Sequence, residues 1–273
     1  MRWRILVMGD GSSAENMAID ESILIEVLKG ESDPTIRFYG WDPATVSCGY
    51  NQSTAKEIDL DLVKDAGFGF VRRPTGGRVV LHNKEVTYAV IAPVDGRLGG
   101  SVVQAYAEIS LALAAGLGNL GIEVEFEKGE LSSAHQRLAA NPCFSSTSRF
   151  ELSYRRRKLV GSAQVRKEGV LLQHGSILLN NDQSQLAYLL PGLSESERVR
   201  LADYLKRKTV AINQVLSEPV SFSAAAAAFE KGFRQSWRED EFYSAGEIGE
   251  KEKERVRELS KSKYLTEGWN KRK

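Results

Sequence analysis

The chain has 273 residues, 42% of them hydrophobic and 27% charged, a balance that supports a packed core and excludes extended disorder. Its 37 basic and 36 acidic side chains nearly cancel, so net charge gives no reason to expect a nucleic-acid or membrane-surface partner. Two cysteines, no charged-then-apolar leader over residues 1–10 and no bilayer-length apolar run predict a reducing cytoplasm, with Cys48 and Cys143 as free thiols.

The apolar run from Trp3 to Met8 predicts a strand. Ser12 and Glu15 have capping-box spacing and open a helix to about Lys29, with Met17, Ala18, Leu24, Ile25 and Leu28 on its core face and Gly30 ending it. Ile36–Tyr39 and Thr45–Cys48 predict two short strands in a hairpin-like connection through Asp42 and Pro43. A short helix over Ile58–Ala66 stops at Gly67. Strands follow over Phe68–Arg72 and Arg78–Leu81, around Pro74-Thr75-Gly76-Gly77, and another over Glu85–Ala92. Ser101–Leu120 is the longest helix of the first half, with a strand at Ile122–Phe126. Phe150–Tyr154, Lys158–Arg166 and Val170–Leu179 predict a meander whose Arg155-Arg156-Arg157 turn is solvated. Helices then dominate at Glu195–Lys206, Ala211–Leu216 and Phe222–Trp237, before a charged run from Lys251 that is expected to be a solvated face.

Hairpins beside helices, without regular βαβ alternation, predict an α+β fold: a mixed, largely antiparallel sheet packed by helices, with a helical C-terminal extension. Residues 1–240 are expected to form the main catalytic domain and 241–273 a charged C-terminal helix or tail. Neither length nor composition fixes the oligomeric state.

Arg72 and Arg73 precede a glycine turn that suits either close approach to ligand oxygens or an ordinary hairpin with solvated arginines. The segment lacks the Gly-Lys-Ser/Thr ending of a phosphate-binding Walker loop, and His82, His135 and His174 have no zinc-site spacing. Cys48 falls in a β-rich run and reads as core. Cys143 lies between Asn141-Pro142 and Ser145-Ser146-Thr147-Ser148, a polar loop in which a merely packed thiol is less expected. Lys158 heads an apolar strand. Turned inward near Cys143, its charge would favour the reactive thiolate.

The segments Arg72–His82, Cys143-Phe144 leading to Phe150-Glu151-Leu152, Lys158–Gln164 and Gln173–Leu178 together resemble the biotin/lipoate protein ligase superfamily and, more narrowly, its LipM-type octanoyltransferases. Asn16–Glu21 and Val46–Gln52 add to the resemblance, which runs in order through about the first two thirds of the chain.

That resemblance implies a sheet related to class II aminoacyl-tRNA synthetases and biotin ligases. It also implies a cytoplasmic enzyme of lipoate biosynthesis, expected as a monomer, without cofactor, metal or ATP. It would move octanoate from octanoyl-acyl carrier protein to the lipoyl-domain lysine of glycine cleavage H protein. Cys143 matches the family's acyl-thioester cysteine and Lys158 the lysine that lowers its pKa. Arg72, Arg73, Gly76, Gly77, His82, Gly161, Ser162 and Ala163 match its substrate-binding segments. Two related activities fit the same motifs: octanoyl amidotransfer from H protein to other lipoyl domains, and ATP-dependent lipoate ligation. Arg78 in place of the ligases' third glycine, Asn83–Tyr88 after His82, and the Cys143 thiol favour the transferase.

Overall fold

Alternation along the first strand sends Trp3 and Ile5 to one side and Arg4 and Leu6 to the other, and all four are buried. The computed structural model describes residues 1–126, 151–180 and 182–272. In chain order these form β1 (Arg2–Gly11), α1 (Ser13–Leu28), β2 (Thr35–Trp41), β3 (Thr45–Cys48), α2 (Thr54–Glu57), α3 (Leu60–Asp65), β4 (Gly69–Arg72), β5 (Val80–His82), β6 (Glu85–Pro93), α4 (Val102–Asn119) and β7 (Glu125–Phe126). There follow β8 (Leu152–Tyr154), β9 (Arg157–Lys158), β10 (Val160–Lys167), β11 (Val170–Leu178), α5 (Glu195–Lys208), α6 (Phe222–Ser236), β12 (Glu241–Ala245), α7 (Glu250–Leu259) and α8 (Glu267–Asn270).

Six strands form the main sheet in the order β10-β11-β6-β2-β1-β12. The pairs from β10 to β2 are antiparallel, and β1 runs parallel to both β2 and β12, which gives the mixed sheet expected from the sequence. Each face carries its own core, as the period of two requires. Trp3, Ile5, Ile36, Phe38, Tyr88 and Val90 pack under α4 and α6. Leu6, Tyr39, Ala89, Ile91 and Leu172 pack under α1. Helices α4 and α6 touch through backbone: a Cβ on Gly232 would lie 2.6 Å from the Ala112 carbonyl oxygen, so only glycine allows this approach.

Two expected hairpins are absent for one reason. Both edges of β2 are already occupied, by β1 and β6, so β3 leaves the main sheet and lies between β4 and β5 in a second sheet. Strands β4 and β5 are therefore not paired with each other, and the Pro74–Val79 connection crosses over β3 instead of turning back. The expected meander is also divided: β8 and β9 belong to a small third sheet with β7, and the chain joins the main sheet at β10.

Beyond residue 240, the segment expected as a charged helix or tail supplies the sheet's sixth strand, β12, and packs the helix α7 against α1. The charge run is matched by charges already in place: Arg4 grips Glu252 with bonds of 2.8 and 2.5 Å, and Arg255 and Lys263 reach Glu26 and Glu21 at 2.7 Å. Tyr264 is buried.

Candidate active site

The Arg-Arg-Pro-Thr-Gly-Gly-Arg segment folds around one of its own arginines. Arg73 is buried and donates to the carbonyls of Gly76 (2.8 Å), Arg78 (2.7 Å) and Ser47 (3.1 Å), and to Ser47 Oγ (3.0 Å). Gly77 has φ +92°, and a Cβ there would lie 2.7 Å from the Arg73 guanidinium; one on Gly49 would fall 2.0 Å from the Gly77 oxygen. These glycines serve a loop wrapped on a buried cation, which neither an ordinary hairpin nor solvated arginines describes.

From Arg73 a polar chain runs inward. His82 meets Ser47 Oγ through Nε2 at 2.8 Å and Glu85 Oε1 through Nδ1 at 2.7 Å, with its ring stacked 4.4 Å from that of Trp41. Glu85 also accepts from the hydroxyls of Thr87, at 2.7 Å, and Ser176, while Trp41 donates to Thr87 at 2.7 Å. Because a carboxylate only accepts, Nδ1 carries a proton. His82 Nε2 faces the Ser47 hydroxyl, whose oxygen also receives an Arg73 N–H.

A second chain begins on α1. Asp20 Oδ1 accepts from Arg37 at 2.7 Å, and its Oδ2 accepts from the Tyr39 hydroxyl at 2.9 Å and lies 3.0 Å from His174 Nδ1. His174 Nε2 sits 2.6 Å from Thr75 Oγ1, which closes the circuit onto the glycine loop. Burial tends to raise the Asp20 pKa, but the charges and hydrogen bonds of Arg37 and His174 outweigh it and hold the carboxyl below its usual range. Burial, helped by the nearby Arg73 and His82 charges, pushes His174 below its usual 6.5 against the pull of Asp20. Burial and the Asp20 carboxylate keep Tyr39 well above 10 and protonated. Asp20 is therefore the negative member, and His174 a neutral ring with a fixed tautomer.

Both chains border one cavity of about 400 Å³ of space between atoms, counting the part open to solvent. Arg73, Ser47, His82, Trp41 and Thr87 line one side, and Met17, Tyr39 and His174 another. Gly161, Ser162 and Ala163 from β10, with Gly175 and Ser176 from β11, complete the wall. A Cβ at Gly175 would come within 2.7 Å of the Tyr88 ring and of Ser162 Oγ, so the wall is thin at that point by necessity. A largely apolar wall with a few convergent polar groups is the usual make-up of a small-ligand site. Among the described residues, no group of three or more His, Cys, Asp or Glu is placed to hold a metal ion.

Of the residues singled out in the sequence, Arg73, His82, Gly161, Ser162 and Ala163 line this cavity. Gly76 and Gly77 shape the adjoining loop. Arg72 points elsewhere, donating to the carbonyls of Gly49, Gln52, Trp269 and Arg272 and to Thr54 Oγ1, and so it knots the C-terminal segment to the β3–α2 connection. Lys158 is buried with its ammonium 2.7 Å from Glu151, three residues before Gly161, and is not itself part of the cavity wall. Cys143 and His135 lie outside the described residues. Cys48 is fully buried, and burial pushes its thiol up to about 11, as its core placement demands.

The pattern missed most of the polar framework: Asp20, Arg37, Ser47, Thr75, Glu85 and Ser176. One signal was present. Arg37 lies between Ile36 and Phe38 in a strand buried throughout, and a cation on a buried face requires a buried anion.

Comparison with known proteins agrees with this fold. Residues 12–234 match the lipoyl protein ligase A/B catalytic domain. Octanoyltransferase LipM of Brevibacillus brevis is 42% identical over 273 residues, covering 98% of each chain. A bipartite lipoate protein ligase from Thermoplasma acidophilum, solved in a study with its E2 lipoyl domain, superposes with a TM-score of 0.82 at 25% identity, over 99% of this chain and 96% of that one. Lipoate-protein ligase A bound with ATP gives a TM-score of 0.78 at 26% identity, over 99% of both chains. With the family match spanning α1 to α6 and the relatives aligned almost end to end, the chain belongs to the lipoyl protein ligase A/B catalytic domain family.

Proposed function

We propose that the protein is a cytoplasmic, monomeric octanoyltransferase of lipoate biosynthesis. It takes octanoate from octanoyl-acyl carrier protein, holds it as a thioester on Cys143 and passes it to the lipoyl-domain lysine of glycine cleavage H protein. Similarity to octanoyltransferase LipM along nearly the whole chain supports the activity. The observation that supports the covalent route concerns the other thiol. Cys48 is sealed in the core with its pKa pushed up to about 11, which leaves Cys143 as the thiol for such a route.

In the first step the Cys143 thiolate attacks the octanoyl carbonyl, the tetrahedral adduct collapses, and the carrier thiolate leaves and takes up a proton. In the second, the neutral lysine amine attacks the Cys143 thioester, loses a proton and expels the Cys143 thiolate as the amide forms. Exchange of one thioester for another is nearly balanced, and amide formation drives the sequence forward. The Lys158 ammonium, held at 2.7 Å from Glu151 fifteen positions after Cys143 in the sequence, would favour the thiolate form of Cys143 in both steps. The octanoyl chain would lie along Gly161, Ala163 and Gly175, with Arg73 and His82 fixing the opposite wall.

Donor dependence tests this reading. Octanoyl-acyl carrier protein alone should modify H protein, whereas free octanoate with ATP should not. Modification only when ATP is supplied would make the protein a ligase. Octanoyl-H protein serving as donor, with the carrier thioester inert, would make it an amidotransferase.

A further inference from the structure

The face of β10 and β11 that lines the cavity does not end there. One pleat step, ~7 Å along each strand, separates Ala163 from Val165 and His174 from Leu172, and Val165 and Leu172 form the floor of a groove of about 780 Å³, open to solvent. Above the junction, Thr75 bonds His174 over the cavity while its neighbour Pro74 lines the groove. Leu24 of α1 continues the apolar floor. The aromatic side is formed by Tyr50 and Trp269, whose ring centroids are 5.7 Å apart. The groove is thus the outward continuation of the cavity along one sheet face.

Its charge is uneven. Arg166, Lys167 and Lys263 border it, against one carboxylate, Glu21, which is already engaged by Lys263 at 2.7 Å and by the Tyr264 hydroxyl at 2.6 Å. Arg166 is turned away to the carbonyls of Gly100 (2.6 Å) and Ser101 (2.9 Å), whereas Lys167, on the Val165 face of the strand, is exposed. An apolar and aromatic trough leading to a buried cavity, with cations at its outer end, fits a slender amphipathic arm whose far end is a phosphodiester.

Building on the reading above, we propose that this groove is the binding subsite for the phosphopantetheine arm of the acyl donor, with Lys167 facing its phosphate. The arm lies over Val165 and Leu172 and delivers the thioester toward the cavity mouth between Thr75 and Ala163. The acceptor lysine, which carries no phosphate, has no use for the cationic end.

The test compares octanoyl-4′-phosphopantetheine with octanoyl-pantetheine as donors, following acylation of Cys143 by intact mass. The wild-type protein should favour the phosphorylated donor in kcat/KM by about tenfold, the value of one charge-assisted contact, and added salt should shrink that preference. Lys167→Glu should bring the ratio toward one, whereas Lys206→Glu on α5, outside the groove, should leave it alone. Equal use of the two donors by the wild type, or an undiminished preference in Lys167→Glu, overturns the proposal. So does a raised KM for the lipoyl domain in Lys167→Glu with the donor ratio unchanged, which would give the groove to the acceptor. Acylation by neither donor would defeat the octanoyltransfer reading instead. Titration of tryptophan fluorescence with 4′-phosphopantetheine then decides the subsite by itself: saturable binding weakened in Lys167→Glu supports it, and no binding overturns it.

Discussion

Asp20 and His174 stand 154 positions apart in the chain and meet at 3.0 Å, joining the first helix to β11 beneath the glycine loop. The contact sets which nitrogen of His174 bears the proton. It also leaves Asp20 as the anion that balances the buried Arg37.

Asp20→Asn removes that balance and leaves Arg37 buried beside a neutral amide. Breaking a buried pair from one side costs about 3–5 kcal/mol, so the melting temperature should fall by roughly 10 °C. Calorimetry checks this, and a change of less than a degree would mean that Arg37 is charge-balanced elsewhere.

His174 gives a pH signature. Its folded pKa lies below 6.5, so between that folded value and 6.5 the unfolded chain binds a proton that the folded chain refuses. Stability therefore rises with pH through this window and is lost as pH falls from about 6.5. Asp20, depressed below 3.8, adds a further loss at lower pH. Denaturant titrations between pH 7 and 5 should show a shallower slope for His174→Gln than for the wild type. Identical slopes would remove His174 as the titrating group.

Two glycines of the loop region should respond oppositely to alanine. At Gly49 the new Cβ would fall 2.0 Å from a backbone oxygen, whereas at Gly76 nothing lies within 4 Å. Gly49→Ala should cost about 3 kcal/mol and distort the Arg73 loop, and Gly76→Ala should stay within about 0.5 kcal/mol of the wild type. Urea unfolding midpoints distinguish the two.

The C-terminal segment should behave as part of the domain. Deleting residues 264–273 removes the Trp269 and Arg272 carbonyls that Arg72 donates to, and with them the Tyr264 hydroxyl bound to Glu21. A loss of about 3 kcal/mol follows from unsatisfied buried donors alone. An unchanged unfolding curve would restore the picture of a solvated tail.

Much of the fold was legible because its signals are local. The helix opening at Ser101 and the period-two strands depend on neighbours in sequence and stand where expected. The two missing hairpins depend on which sheet edges are already occupied, information that Ile36–Tyr39 and Thr45–Cys48 do not carry. The site divides in the same way. Motif order located Arg73, His82 and Gly161–Ala163 at the cavity, but the adjacent Arg72 and Arg73 point to opposite tasks, and only the tertiary partners separate them. Asp20 and Glu85 read as ordinary charges until the chain brings His174 and His82 to them.

The covalent account turns on the thiols. Cys48, with a pKa near 11, is ionised in about one molecule in a thousand at pH 8 and should resist iodoacetamide until the protein is unfolded, whereas Cys143 should alkylate in the native state. The most direct measurement is the intact mass after incubation with octanoyl-acyl carrier protein. The account predicts one octanoyl adduct per chain, released by hydroxylamine and absent from Cys143→Ser. An unmodified native protein that still octanoylates H protein, or an adduct that persists in Cys143→Ser, would contradict it.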